Sequence, residues 1–157
     1  SIRCTAVQAN SSLKPSNAVA EMLKAESEHE IHNPVRFNAF AERLKELKNN
    51  IHHYISQAQA EYKSVAGYGA SVGVTTMLYN FDITQSHIKF LVDDNPHRQG
   101  LLSPGKHIPV KDKQALIDEK IRSCIIFAWQ YNEPIIAKNE EFLEKGGKFI
   151  RLLPEFG

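Results

Sequence analysis

From residue 63 to its end, the chain alternates between short apolar runs and helix-like segments, and this alternation limits the fold more than any other feature. We predict strands at 63–68, 88–92, 108–110, 123–129 and 148–153. We predict helices at 71–81, 112–118 and 133–145, each beginning near a capping residue. Such a strand–helix alternation indicates an α/β fold, in which helices cover both faces of a parallel sheet.

A short strand and two helices are predicted before the sheet. Residues 2–8 are rich in strand formers, and a helix is expected from Ser16 or Asn17 to about residue 29. Asn33 and Pro34 then form a strong start for a helix that reaches about residue 62. Its apolar positions follow a heptad seam, and these are Phe37, Phe40, Leu44, Leu47, Ile51, Tyr54 and Ala58. A helix of about 43 Å is long for a domain of this size. We therefore expect part of it to extend beyond the core, with contact to another domain or subunit as the alternative to simple packing on the sheet.

Composition excludes several classes of protein. The 157 residues predict a single domain, with residues 1–62 leading into a core at 63–157. A net charge of +1 argues against a nucleic-acid binder. The longest apolar run, 124–129, is too short to cross a membrane, and no secretory leader is recognised. The two cysteines, Cys4 and Cys124, exclude a disulfide framework and fit a cytoplasmic protein. Because the chain starts without Met, we expect a piece of a longer protein.

The strongest local motif is the glycine-rich turn Gly67-Tyr68-Gly69-Ala70-Ser71-Val72-Gly73, which follows a predicted strand and opens a predicted helix. Glycines at this position let a ligand approach the backbone, and the helix N-terminus favours an anion. Asp93 follows Gly73 by 20 residues, where dinucleotide-binding folds place the acid that binds a ribose hydroxyl. The alternative is a tight turn without a ligand.

A second group of candidates lies in the loop after the second predicted strand. His97, Arg98, Lys106 and His107 are cationic or can become so, which suits a phosphate or sugar, although a solvated loop is the alternative. We predict that the loop at 93–107 closes over a ligand, that Asn95 shapes it by turn hydrogen bonds and that His107 donates to the ligand. The alternative is that His107 caps the strand that follows.

Trp129 ends the most apolar predicted strand, where it can stack on a base or sugar or form part of the core. His29 and His32 are spaced like metal ligands, but a solvated helix end explains them better. No catalytic triad or nucleophile elbow is present in the sequence. We therefore assign no catalytic residue and no metal site.

Several longer segments resemble one known family in order and spacing. These are GYGAS, FLVDDNPHRQG, SPGKHIPV, FAWQYNEPI and EKGGKFIRLLPE. They are similar to the C-terminal domain of sugar C-methyltransferases, which act on nucleotide-linked deoxysugars with S-adenosylmethionine as methyl donor. The sequence departs from that family after GYGAS, since Val72–Thr76 lacks the usual lysine.

The resemblance implies a Rossmann-like domain that holds a nucleotide-linked sugar against a methyltransferase domain located N-terminal to it. It implies that this domain binds no cofactor itself, that S-adenosylmethionine serves the full-length enzyme, and that the chain alone is inactive. No nucleic acid or membrane partner is expected, and a homodimer stays open. The residues assigned to substrate binding are Gly67, Tyr68, Gly69, Ala70, Ser71, Asp93, Asn95, Pro96, His97, Lys106, His107 and Trp129.

Two other functions remain open from the residues alone: a free-standing domain that binds NAD or S-adenosylmethionine, and an assembly module that uses the long helix. For the sheet we take the strand order 3-2-1-4-5, which is usual in doubly wound folds. In that order the GYGAS and WQYNE turns face each other at the point where the strand order reverses.

Overall fold

The computed structural model describes residues 3–152. The chain divides into two compact units, with the boundary between Lys45 and Glu46. The first unit contains α1 (Asn17–Glu28) and the beginning of α2 (Pro34–Tyr62). Asn33 Oδ1 accepts a hydrogen bond from the backbone N–H of Val35 at 3.0 Å, so the predicted start of α2 is confirmed. Residues 3–8 form no strand, and the predicted edge strand is therefore wrong for the described part of 2–8.

The second unit is built on five parallel strands in the order β3-β2-β1-β4-β5. The strands are β1 (Val65–Tyr68), β2 (Leu91–Val92), β3 (Val110–Lys111), β4 (Ser123–Ile126) and β5 (Lys148–Arg151). The helices that follow α2 are α3 (Val72–Asn80), α4 (Ala115–Asp118), α5 (Asn132–Ala137) and α6 (Glu140–Glu144). This arrangement confirms the α/β, Rossmann-like fold and the predicted strand order.

Alternate strand residues face two separate hydrophobic cores, one on each side of the sheet. The core on one side includes the end of α2 and α3, through Ile51, Ile55, Ala58, Val74 and Leu78. The core on the other side includes α4, α5 and α6, through Leu116, Ile135 and Phe142. Each fully buried Leu, Ile or Phe contributes about 1.5–3 kcal/mol, so both cores stabilise the sheet.

The two parts of α2 have different surroundings although their apolar spacing is the same. Ile51, Ile55 and Ala58 are at most 6% exposed, whereas Phe37 and Phe40 are 60% and 53% exposed. Phe37 and Phe40 belong to the first unit, and the expectation that part of this helix extends beyond the core stays a prediction. Tyr54, predicted on the seam, is only partly buried, and Ile55 takes the central core position.

The predicted boundaries shift at several elements. β4 ends at Ile126, and Trp129–Tyr131 form a 3-10 turn instead of its last residues. The single helix predicted at 133–145 is two short helices, α5 and α6. The end of the last predicted strand, residue 153, lies outside the described residues. Among the helices described within 3–152, none is both long and apolar enough to span a bilayer.

Candidate functional site

The carboxyl ends of β1, β2 and β4 surround a cavity of about 280 Å³. Neighbouring strands β1 and β4 lead to helices on opposite sides of the sheet, so the cavity lies where the strand order reverses. The turns after β1 and after β4 both contribute to its lining. The prediction that the GYGAS and WQYNE turns face each other is thereby confirmed. Open α/β sheets bind their ligands at this position.

The turn after β1 is held in a conformation that glycine permits. Gly69 has φ +108°, and a Cβ built on it would lie 2.9 Å from the Cβ of Ala128. The Gly69 N–H donates to the carbonyl of Val92 at 2.6 Å, which ties the turn to β2. Ser71 then caps α3, since its Oγ accepts from the N–H of Val74 at 3.4 Å. Ser71 lines the cavity, so the N-terminus of α3, whose first N–H groups have no partners within the helix, begins at the cavity wall.

Gly67 has a different role from that of Gly69. A Cβ at Gly67 would lie 2.7 Å from both Leu91 Cδ2 and the ring of Phe127, so this glycine allows close packing inside the sheet. It is not among the residues that line the cavity. The structure therefore places the first glycine of the motif in the core and the second in the wall of the cavity.

Two consecutive acids follow β2 and differ in their partners. Asp93 is buried, and its carboxylate accepts from the N–H of Ala70 at 2.7 Å and the N–H of Asn95 at 2.9 Å. Arg98 Nη1 lies 3.1 Å from its Oδ2. The Asp93 carboxylate thus joins the glycine turn to the start of the next loop, and little of it is open to a ligand.

Asp94 is open on the cavity side, with 42% of its side chain exposed. It accepts from the Tyr68 hydroxyl at 2.7 Å and forms an ion pair with Lys138, which follows α5. Burial alone would raise the pKa of the Asp94 carboxyl, but the hydrogen bonds from Lys138 and Tyr68 lower it below its usual value. Asp94 is therefore a carboxylate at neutral pH.

The buried side chain of Tyr68 holds the carboxylate of Asp94 in position. Its side chain is 2% exposed, and Asn139 Nδ2 donates to its hydroxyl at 3.4 Å. Burial first, and then the bond to Asp94, raise the pKa of the Tyr68 phenol far above its usual value. The phenol therefore stays protonated and acts as a donor to Asp94.

The opposite wall of the cavity is mainly apolar. Ala128, Pro134 and Ile135 line it, and Tyr131 contributes a ring on a side chain that is 59% exposed. Trp129, the aromatic residue that the sequence suggested for stacking, is half-buried in the 3-10 turn and is not among the lining residues. Tyr131, two residues further on, lines the cavity instead.

The structure brings together four of the predicted site residues around the cavity, namely Tyr68, Gly69, Ser71 and Asp93. Ala70 does not line the cavity, but its backbone N–H donates to Asp93, which does. Asn95 forms the predicted turn, since its Oδ1 accepts from the N–H of His97 at 3.0 Å. Pro96 and His97 are exposed beyond that turn and do not line the cavity.

Lys106 and His107 are not brought to the cavity. The loop leaves β2 at its carboxyl end and enters β3 at Val110, and parallel strands begin at the same edge of a sheet. Accordingly, the carbonyl of His107 accepts from Gln85, which precedes β2, and Lys106 Nζ lies 4.7 Å from the ring centre of Tyr79, near the end of α3. The structure does not place His107 where the predicted loop closure requires it.

Sequence reasoning missed three of the polar groups that line the cavity. Asp94 was overlooked because its neighbour occupies the position expected for the ribose-binding acid. Arg98 is predicted only as a loop cation, and Lys138 falls inside the helix predicted at 133–145, where no motif marks it. Within residues 3–152, no group of three or more His, Cys, Asp or Glu is placed to hold a metal ion.

Two sequence comparisons show which known proteins this chain is similar to. Residues 1–154 match the family model described as the C-methyltransferase C-terminal domain. The chain is also 32% identical to the C-methyltransferase NovU of Streptomyces niveus over 138 residues, which is 88% of this chain and 33% of that protein. The chain thus spans about a third of the length of this relative.

Proposed function

The chain belongs to the C-methyltransferase C-terminal domain family, and we propose that it serves as the substrate-side domain of such an enzyme by binding a nucleotide-linked sugar in the cavity at the carboxyl edge of the sheet. The observation that supports this most directly is the position of the cavity. It lies at the reversal of strand order, beside a glycine turn and the N-terminus of a helix.

The lining of the cavity suits a ligand with both flat and polar parts. Tyr131 offers an exposed ring to a base or to a sugar face, and Pro134 and Ile135 form an apolar floor. Asp94, Arg98 and Lys138 offer hydrogen bonds on the other side. The phosphates would lie toward Ser71 and the first N–H groups of α3, where the helix dipole favours negative charge.

The methyl donor of the full-length enzyme, S-adenosylmethionine, is proposed to bind outside residues 1–157. Both acids that line the cavity are already paired with cations, Asp93 with Arg98 and Asp94 with Lys138. A positively charged sulfonium would gain little from acids paired in this way. The relative is three times as long as the region that matches, which leaves room for a separate donor-binding domain.

Calorimetric titration of the chain tests this proposal. We expect a nucleoside diphosphate hexose to bind, and NAD and S-adenosylmethionine to bind more weakly or not at all. Tyr131→Ala should weaken binding of the nucleoside diphosphate hexose by roughly fivefold or more, because stacking on an aromatic ring is worth about 1–3 kcal/mol. Stronger binding of NAD or of S-adenosylmethionine would contradict the proposal.

Tyr79→Ala is the matched control. Tyr79 is also an exposed tyrosine, at 51%, but it contacts Lys106 and does not line the cavity. Its substitution should leave the affinity unchanged, whereas an equal loss in both variants would assign the effect of Tyr131→Ala to general destabilisation.

A further inference from the structure

The consecutive acids Asp93 and Asp94 divide two tasks between them, and their partners show how. Asp93 has 9% of its side chain exposed and accepts from two backbone N–H groups and Arg98. A carboxylate has about four acceptor sites, so Asp93 has few left for a ligand. Asp94 accepts from Tyr68 and Lys138 only, among the described residues, and retains acceptor sites toward the cavity.

Lys138 has the complementary capacity. An ammonium group carries three N–H donors, and one of these is used by Asp94. Half of the Lys138 side chain is exposed, as is 42% of Asp94. The pair therefore presents a free acceptor beside a free donor on the wall of one cavity.

A vicinal diol matches this arrangement, since one hydroxyl can donate to the carboxylate while its neighbour accepts from the ammonium. A phosphate matches it less well, because the carboxylate of Asp94 would repel it and Lys138 is already neutralised. Resting on the proposed function, we propose that the Asp94–Lys138 pair reads a vicinal diol of the ligand, and that Asp93 is a positioning residue that holds the glycine turn.

Tyr68 and Asn139 support the pair from inside the fold. Asn139 Nδ2 donates to the carbonyl of Ile135 at 2.6 Å and also reaches the Tyr68 hydroxyl, so the phenol has a defined orientation. The Tyr68 hydroxyl then donates to Asp94 Oδ1, which leaves Oδ2 on the side of Lys138. The Asp94–Lys138 pair is thus supported by Tyr68 at the end of β1 and by Asn139, which follows α5.

A diol can come from the ribose or from the hexose, and three ligands separate these sources. Uridine diphosphate carries a diol only on its ribose, and thymidine diphosphate glucose carries vicinal hydroxyls only on its hexose. Uridine diphosphate glucose carries both. Calorimetry with all three should show which diol is bound by the pair. Asp94→Asn will weaken the binding of only those ligands that place a diol at the pair.

We expect Asp94→Asn and Lys138→Gln each to lower the affinity for the diol-bearing ligand by roughly tenfold or more, because hydrogen bonds to charged groups are among the stronger ones in proteins. Thymidine diphosphate, which has neither diol, should bind the wild type and both variants equally. Glu141→Gln and Lys145→Gln are matched controls, because these residues form an exposed ion pair on and next to α6 and do not line the cavity.

Each result decides a different point. Unchanged affinity of every diol-bearing ligand in both variants would overturn the diol proposal while leaving nucleotide-sugar binding intact. Loss of thymidine diphosphate affinity in Lys138→Gln would show that the pair contacts phosphate and would also overturn it. Binding of free glucose or uridine, sensitive to Asp94→Asn, without any binding of the nucleotide sugars would support the diol reading and overturn the proposed function. If none of these compounds binds the folded chain, both are overturned.

Discussion

The two edges of the sheet carry similar side chains but use them in different ways. At the carboxyl edge, Asp94, Arg98 and Lys138 line a cavity and keep part of their hydrogen-bonding capacity toward it. At the amino edge, His52, His87 and Asp82 contact backbone groups or other side chains. The difference indicates that the direction of the strands, more than the residue types, decides which polar cluster faces the cavity.

The amino-edge cluster fastens α2 to the segment before β2. His52 Nε2 donates to the carbonyl of Phe81 at 2.6 Å, and the His52 and His87 rings meet edge to face at 4.7 Å. Lys48 on α2 forms an ion pair with Asp82. These contacts stabilise the packing of α2 on its sheet face.

The largest effect is expected from Gly69→Ala at the carboxyl edge. The added Cβ would lie 2.9 Å from the Cβ of Ala128, and the alanine would have to adopt a φ of +108°, which L residues rarely do. Strain and overpacking each cost about 1–3 kcal/mol, so we expect a loss of about 2–4 kcal/mol in the free energy of unfolding. Urea denaturation followed by circular dichroism measures this loss.

Gly73→Ala is the control for that substitution. Gly73 lies in the first turn of α3 without a positive φ, and the nearest neighbour that an added Cβ would meet within 4 Å is Ser71 Oγ at 3.8 Å. Alanine is favoured over glycine in a helix by roughly 0.5–1 kcal/mol, so this variant should be slightly more stable than the wild type. Equal destabilisation by both variants would contradict the assigned role of Gly69.

Tyr68→Phe at the carboxyl edge and Tyr54→Phe at the amino edge each remove one hydroxyl oxygen, so their effects on the free energy of unfolding can be compared. The Tyr68 hydroxyl donates to the carboxylate of Asp94, whereas the Tyr54 hydroxyl pairs with the neutral hydroxyl of Ser123 at 2.7 Å. Hydrogen bonds to charged groups are stronger, so Tyr68→Phe should cost about 1.5–3 kcal/mol and Tyr54→Phe about 0.5–1.5 kcal/mol. A larger cost for Tyr54→Phe would reverse the comparison.

The amino edge should also respond to pH through His87. Its Nδ1 accepts from the backbone N–H of Thr84 at 3.1 Å, a bond that requires this nitrogen to be unprotonated. Burial first, and then the nearby charge of His52, lower the pKa of His87, with Lys106 adding to this effect and Asp82 opposing it. The unfolded chain therefore takes up a proton at His87 more readily than the folded chain does.

It follows that the stabilising effect of neutral His87 is complete above the unfolded pKa of about 6.5 and is lost as the pH falls toward the lower folded pKa. Between pH 7.5 and pH 5.5 we expect the free energy of unfolding to fall by at most about 1.4 kcal/mol per pH unit from this group. His87→Asn, whose amide oxygen can accept the same bond, should flatten the profile. His53→Asn, at an exposed position of α2, should not, and a flat wild-type profile would refute the role of His87.

Much of the fold was predictable because local signals agreed with each other. Asn33 and Pro34 predicted the start of α2, and the strand–helix alternation predicted the parallel sheet, whose strand order is the one usual in doubly wound folds. The heptad seam predicted one continuous helix but could not distinguish Phe37, which is exposed, from Ile51, which is buried. Periodicity records which residues share a face and carries no information about what covers that face.

The candidate site was predictable only as far as the glycine turn. Tyr68, Gly69, Ser71 and Asp93 lie next to each other in the fold because the turn and the end of β2 are neighbours across one strand pair. Lys138 joins Asp94 from 44 residues away, and no local pattern marks that contact. The loop at 93–107 looked like one functional unit, yet its two ends lie at opposite edges of the sheet.

The smallest effect is expected at His107, and it tests this division of the edges directly. His107 has φ +54°, and its carbonyl, not its ring, is held by Gln85. Asparagine tolerates a positive φ, so His107→Asn removes the imidazole and preserves the backbone. Because the residue is exposed and lies at the amino edge, stability should change by less than about 0.5 kcal/mol, and the affinity for a nucleoside diphosphate hexose should stay the same. Lys138→Gln, measured in the same titration, should lower the affinity for the nucleoside diphosphate hexose if the diol of this ligand binds at the Asp94–Lys138 pair. A tenfold loss in His107→Asn would instead place the imidazole on the ligand and would require the loop to close across the sheet, as the sequence alone suggested.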